Sequence, residues 1–232
     1  MVYDKRVDGR KFDECRPMEA KVGVVEKAGG SAMFKIGKTV AVAAVYGPRE
    51  LYPAAFQNLK RGVLRCNYNM MAFSGSGNRV RPGPSRRSKE ISLVTEKALF
   101  PVLDLSAYPG SVVDVFIELI QTDAGTRCAG ITAAAMALAD AGIPMRDLVS
   151  SVAVGRVGGK IVLDLNKEEE DYEGESTDIA TAFSSRTGEV TLLQMDGEVK
   201  REELKKALEL ARAGCEKIRE LQINALRGRY KG

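Results

Sequence analysis

The run SVVDVFIELIQTDAGTRCAGITAAAMALADAG, residues 111–142, changes its hydrophobic period halfway along. From Ser111 to Thr122 it alternates loosely around Val113, Val115, Ile117 and Leu119, as a buried strand does. From Gly125 to Gly142 nearly every residue is small and apolar, the pattern of a helix buried on most of its sides. Such a helix needs sheet around it, and the flanking sequence supplies strands. Before it, Ala20–Val25, Ser31–Ile36, Thr39–Tyr46 and Val63–Phe73 are short, β-branched or extended, with turns such as Ala28-Gly29-Gly30 and Gly37-Lys38 between them. After it, Val152–Val157 and Lys160–Leu165 flank Gly158-Gly159, a hairpin signal. Ile179–Phe183 and Glu189–Gln194 follow around Thr187-Gly188.

Two amphipathic helices complete the pattern. SGSGNRVRPGPSRRSK, residues 74–89, has no apolar period and predicts a loop. Helical spacing begins after Ser85, with Ile91, Val94 and Ala98 on one face, Leu99 beside them, Thr95 the polar member and Pro101 a stop. From about Lys200 a long helix carries Leu204, Leu208, Ala211, Cys215, Ile218 and Leu221 along its seam. No repeat and no linker poor in core residues divides the 232 residues, so one α+β domain over 1–232, helices packed on a mostly antiparallel or mixed sheet, is expected.

Composition bounds the chemistry. The chain is 44% hydrophobic and 28% charged, with net charge +4, which excludes a disordered or collagen-like protein. No apolar run approaches the ~18 residues of a membrane span. The amino terminus, MVYDKRVDGRKF, is charged from residue 4 onward and does not read as a signal peptide, so a cytoplasmic protein without a membrane partner is expected. There is no His, which removes imidazole bases and the Ser-His-Asp triad. Cys15, Cys66, Cys128 and Cys215 form no CxxC pair, so a zinc site is not expected and buried free thiols are. Carboxylates, arginines, lysines, hydroxyls, backbone amides and an added Mg²⁺ remain.

Charge is segregated. KEEEDYEGESTD, residues 167–178, holds seven acids and one base; the rest of the chain has 34 bases and 24 acids. A basic body with one acidic loop suits a polyanionic partner, although a solvated loop on a mildly basic protein fits the same count. Asp123-Ala124-Gly125-Thr126-Arg127 runs from strand into helix. The first amides of a helix have no internal partner, Gly125 lets backbone approach a ligand, and Thr126 and Arg127 add donors, so this turn suits phosphate. An ordinary helix start with an outward arginine fits it too. Arg86 and Arg87 cannot face the same way on a helix, so one could hold an RNA phosphate and the other an inorganic phosphate. Lys60, Arg61 and Arg65 could track a single strand's backbone. For both groups, solvated charge is the competing explanation.

RVDGRKFDECRP (6–17), GPSRRSKEISLVTEKAL (83–99), DVFIELIQTDAGTRCAGITAAAMALADAGIPMRDL (114–148) and IVLDLN (161–166), in this order, resemble the RNase PH family, most closely the catalytic RNase PH-like subunits of archaeal exosomes. The resemblance spans roughly residues 4 to 228. It implies the fold of ribosomal protein S5 domain 2, a mixed sheet with packed helices and a left-handed βαβ crossover. It implies a 3′→5′ exoribonuclease using inorganic phosphate as co-substrate, releasing nucleoside diphosphates reversibly, with Mg²⁺ as cofactor. The implied partners are the 3′ end of single-stranded RNA, a homologous non-catalytic subunit in a three-plus-three ring, and cap subunits with S1 or KH domains. Residue by residue, Gly125, Thr126 and Arg127 match the family's phosphate turn, and Arg86 and Arg87 its paired arginines. Lys60, Arg61 and Arg65 fall in the stretch facing the channel constriction. Asp178 and Asp171 match its catalytic or Mg²⁺-linked carboxylates. Their spacing is one residue longer than the family's, so either the loop bulges or Glu170 or Glu173 shares the role of Asp171. A non-catalytic ring subunit, a stand-alone homo-hexameric RNase PH trimming tRNA ends and a ribosomal-type RNA-binding module remain alternatives.

Overall fold

A computed structural model describes residues 3–76, 78–81 and 83–230; Gly77 and Pro82 of the glycine-rich loop lie outside the described residues. The expected single sheet is two. The first is built from β1 (Met18–Val22), β2 (Gly30–Ile36), β3 (Thr39–Glu50), β4 (Val63–Met70) and β5 (Ser111–Gln121), in the order β1-β2-β3-β5-β4. Its pairs are antiparallel except β4 with β5. A parallel pair needs a crossover, and α1 (Arg86–Leu99) lies on it. The second sheet contains β6 (Val149–Val157), β7 (Lys160–Leu163), β8 (Ser176–Ser184) and β9 (Val190–Asp196), antiparallel in the order β7-β6-β8-β9.

Between the sheets runs α2 (Thr126–Asp140), packed on β2 and β3 on one side and on β6 on the other. Of its residues only Arg127 and Ala139 are not buried, which is why its sequence shows no polar face. One buried cluster runs from Phe34 and Ile117 of the first sheet through Ile131 and Leu138 to Val154 and Ile179 of the second. The fourth helix, α4 (Arg201–Tyr230), covers β6, β7 and β1. Its expected seam is buried at Ala211, Cys215 and Ile218; Leu204, Leu208 and Leu221 pack against the core only partly buried, and Ala207, Gly214 and Gln222 are buried as well. Small residues let the helix approach closely; a Cβ at Gly214 would stand 3.0 Å from Leu163 Cδ1. Gln222 is tolerated because its amide donates to the Val149 carbonyl at 3.0 Å and accepts from Ser150 at 2.7 Å.

Local chemistry fixes the boundaries. Ser85 caps α1: its hydroxyl accepts from the Ser88 amide at 3.0 Å, and the Ser85 amide donates to Ser88 Oγ at 2.7 Å. The same helix closes the free edge of β4, where the Cys66 and Tyr68 amides donate to Glu96 and Ser92. Gly158 and Gly159, at φ 52° and 82°, make the β6–β7 hairpin. The acidic stretch, expected as loop, opens with a one-turn helix, α3 (Lys167–Glu170), capped by Asn166. Glu169 within it is fully buried and bonded to Arg6 and Tyr3, so this segment is anchored rather than solvated. Among the described residues no helix is long and apolar enough to cross a membrane.

Candidate active site

The β5–α2 turn, α1, β8 and α3 converge on one cleft of about 330 Å³. The turn from β5 into α2 supplies its floor. Thr39 Oγ1 accepts from the Asp123 amide at 2.9 Å and donates to the Ala124 carbonyl at 2.8 Å, pinning the turn from the neighbouring strand. Ala124 and Gly125 both take left-handed backbone, at φ 57° and 63°. Among the described residues no side chain caps α2, so its first amides keep their donors for something in the cleft. Thr126 and Arg127 line it directly. The Arg127 Nε is buried without a hydrogen-bond partner among the described residues, an unmet donor beside an unmet helix terminus. The arrangement is an anion site.

From α1, Arg87 enters the same cleft, whereas Arg86 does not line it. The two point apart, as successive helical residues must. From the second sheet, Asp178 of β8 faces the turn, with Glu170 and Lys167 of α3 beside it. Burial, then the neighbouring Glu170 charge, pushes the Asp178 carboxyl up to about 6, against the pull of Arg127; Asp196 adds to the rise and Arg87 opposes it. A carboxyl poised there can deliver a proton near neutral pH.

Asp171 is not part of this cleft. It follows the last turn of α3, is exposed, and its carboxylate takes the Lys167 ammonium at 2.6 Å. α3 turns Glu170 inward, and Asp171, about 100° further round at its C-cap, lies outside the cleft. Glu170, not Asp171, is the carboxylate placed with Asp178; Glu173 does not line the cleft either. Of the two carboxylates expected to hold Mg²⁺, Asp178 lines the cleft and Asp171 does not. Among the described residues no group of three or more metal-ligating side chains converges on one point.

Lys60, Arg61 and Arg65 also lie apart. Arg65 is the third residue of β4, whose far end at Met70 reaches the cleft, roughly 16 Å away at ~3.3 Å per residue. Arg65 and Arg49 share the wholly buried carboxylate of Asp114 while their own side chains stay about half exposed. Arg61 stacks over Phe100 at 4.5 Å, and Lys60 is exposed. Cys66, Cys128 and Cys215 are buried and Cys15 is partly so; burial raises all four thiols, leaving them poor nucleophiles. Lys167 was not foreseen, because a lone base in an acidic run reads as charge balance. Asp114 was hidden by its place in an apolar strand.

A second chamber of about 520 Å³ continues from the cleft. It shares Arg87, Arg127, Glu170 and Asp178, and extends to Glu90, Gln194 and Asp196. The site thus has room for a phosphate at the helix terminus and for a larger group beyond it.

Comparison with known proteins places this geometry. The profile of the 3′ exoribonuclease (RNase PH) family, domain 1, matches residues 14–144, and that of domain 2 matches residues 147–214. The chain is 51% identical over 226 residues to exosome complex component Rrp41 of Pyrococcus abyssi, covering 97% of this chain and 90% of that protein. It is 50% identical over 227 residues to exosome complex component Rrp41 of Methanopyrus kandleri, covering 98% and 94%. Among solved structures, a chain of the Archaeoglobus fulgidus exosome with RNA bound to the active site superposes with a TM-score of 0.79 at 29% identity, over 94% of this chain and 92% of that one. Rice Rrp46, at 23% identity and TM-score 0.83 over 95% and 100%, shares the fold.

Proposed function

Because the chain belongs to the 3′ exoribonuclease (RNase PH) family, we propose that it degrades RNA from the 3′ end by phosphorolysis, as the catalytic subunit of an exosome ring. One observation carries the proposal: the uncapped start of α2 and the unpaired Arg127 Nε open into the same cleft as a carboxyl raised to about 6. Inorganic phosphate binds at the amides of Thr126 and Arg127, where the helix terminus and the guanidinium spread its charge. Arg87 draws in the terminal phosphodiester of the RNA and offsets repulsion between the two anions. A phosphate oxygen attacks that phosphorus, the bond to the departing 3′ oxygen breaks, and Asp178 gives this oxygen its proton. The product is a nucleoside diphosphate, and in reverse Asp178 takes the proton back. Positioning and charge stabilisation supply most of the acceleration.

Glu170 replaces Asp171 as the partner of Asp178 in this scheme, acting by its charge on the Asp178 proton. Mg²⁺ enters as an ion accompanying phosphate, without a prebuilt cage, and no step is routed through it. Arg86, turned out of the cleft, and Lys60, Arg61 and Arg65 are assigned to the RNA backbone upstream of the reacting end. The homologous non-catalytic subunit and S1/KH caps complete the proposed assembly, as the resemblance to archaeal exosome subunits implies; the relatives' description as an exosome complex component supports membership of such a complex.

Arg127→Glu is the direct test. It reverses the charge at the phosphate and should abolish phosphorolysis while assembly with the partner subunit and RNA binding persist. Normal phosphate-dependent turnover by this variant would contradict the assignment.

A further inference from the structure

RVDGRKFDECRP near the amino terminus is far in sequence from every residue of the cleft, yet its last arginine lies directly beneath the cleft floor. The Arg16 side chain is only 5% exposed. Its Nε and Nη2 grip Asp164, just beyond β7, at 2.8 and 2.7 Å, and its own amide donates to the same carboxylate at 2.8 Å. Asp164 is itself held in left-handed backbone at φ 54°. The remaining nitrogen, Nη1, donates to the main-chain carbonyl of Asp123 and lies 3.4 Å from its carboxylate. Asp123 in turn accepts the amide of Lys167, the first residue of α3, at 3.2 Å. The guanidinium also packs against the turn: a Cβ at Gly125 would stand 3.5 Å from Arg16 Nη2.

One planar fork therefore joins the Asp123–Gly125 turn to the end of the β6–β7 hairpin and, through the Asp123 carboxylate, to the start of α3. The first carries the helix amides of the cleft and the last carries Lys167 and Glu170. Two successive residues in left-handed backbone, one of them alanine, persist only where surroundings over-determine them. Arg16 provides that restraint, with its pairing geometry fixed by Asp164.

We propose that Arg16 is a positioning residue that sets the cleft's affinity for the attacking phosphate, by locking the Asp123–Gly125 turn and tying it to α3. The inference rests on the phosphate assignment above. A lysine at this place keeps the charge but cannot hold Asp164 in two places and the Asp123 carbonyl at once.

The test compares Arg16→Lys, Arg16→Gln and, as a control for stability alone, Arg229→Met. Arg229 pairs with Asp140 at the opposite end of α2, about 21 Å from the turn at ~1.5 Å per residue. KM for inorganic phosphate, KM for poly(A) and kcat are measured on the full chain, in the assembly in which the wild type degrades poly(A), alongside thermal melts. Arg16→Lys and Arg16→Gln should each raise the phosphate KM about tenfold, with the RNA KM within about twofold, because a displaced turn costs chiefly the phosphate. Arg229→Met should lower the melting temperature and leave the phosphate KM unchanged. A wild-type phosphate KM in Arg16→Lys, or parallel losses in both KM values, would overturn the inference. Should the Arg16 variants not fold, the more exposed Asp123→Ala decides: a raised phosphate KM supports the link and an unchanged one refutes it. Wild-type degradation that ignores phosphate would instead refute the phosphate assignment, a separate outcome.

Discussion

At the scale of single residues, Asp178 is held by opposing forces. Burial and the charges of Glu170 and Asp196 favour its protonated form, while Arg127 and Arg87 favour the anion, and the balance leaves it at about 6. Its folded value lies above the ordinary 3.8, so the folded state binds more protons in that window and stability falls as pH rises from about 3.8 to 6. Asp178→Asn removes that cost. It should raise stability at pH 7 by about 1–3 kcal/mol, read from a denaturant midpoint, and lower turnover by at least about a hundredfold. Phosphorolysis by the wild type should decline as pH rises through about 6, since the forward step needs the proton. Glu170→Gln takes away a negative neighbour, so it should move that break to lower pH; Asp171→Asn should leave the pH profile in place. A break that follows Asp171 instead would reverse the roles of these two acids. The sequence exposed Asp178 because an apolar strand follows it directly, and it exposed the turn through Gly125-Thr126-Arg127. It left the choice among Asp171, Glu170 and Glu173 open, because only the one-turn helix α3, stabilised by the buried pair of Glu169 with distant Arg6, settles which of them faces inward.

At the scale of elements, α2 governs the arrangement, because its amino end is the proposed anion site and its body separates the two sheets. Its closest approach is to β2, where a Cβ at Gly30 would stand 2.1 Å from the Ala141 nitrogen and 2.6 Å from the Ala137 carbonyl. Neither backbone atom can move aside without shifting the helix. Gly30→Ala should cost at least about 1–3 kcal/mol, measured by urea unfolding, and a variant as stable as wild type would mean that α2 sits further from β2. Strands, hairpin and the three longer helices were legible because each carries its own period or turn chemistry, as with Gly158-Gly159 or the Ser85–Ser88 cap. The division into two sheets was not. Strand β6 reads like any buried strand, and its pairing with β7 and β8 rather than with the first five depends on α2 lying between them. The long helix departs at Leu204 and Leu221 because these leucines lie at the rim of its buried stripe, while Ala207 and Gly214 lie at its centre beside the expected Ala211, Cys215 and Ile218.

At the scale of the whole molecule, the cleft exists only where the halves meet: the turn and Arg87 come from the amino-terminal part, Asp178 and Glu170 from the carboxy-terminal part. The family's two domain profiles meet near residue 145, yet α2 packs on both sheets and one core runs through them, so neither half buries this helix alone. In the proposed reaction the same geometry lets a protein without histidine cleave RNA: phosphate rather than water is the nucleophile, and it needs binding and orientation rather than a base to strip its proton. That claim meets its most direct test in the identity of the product. Uniformly labelled poly(A) is incubated with the chain and its homologous partner subunit, with and without inorganic phosphate, and the released nucleotides are separated. Adenosine diphosphate formed only when phosphate is present is the predicted result. Adenosine monophosphate released without phosphate would show that water is the nucleophile, and would contradict the role given to Thr126 and Arg127.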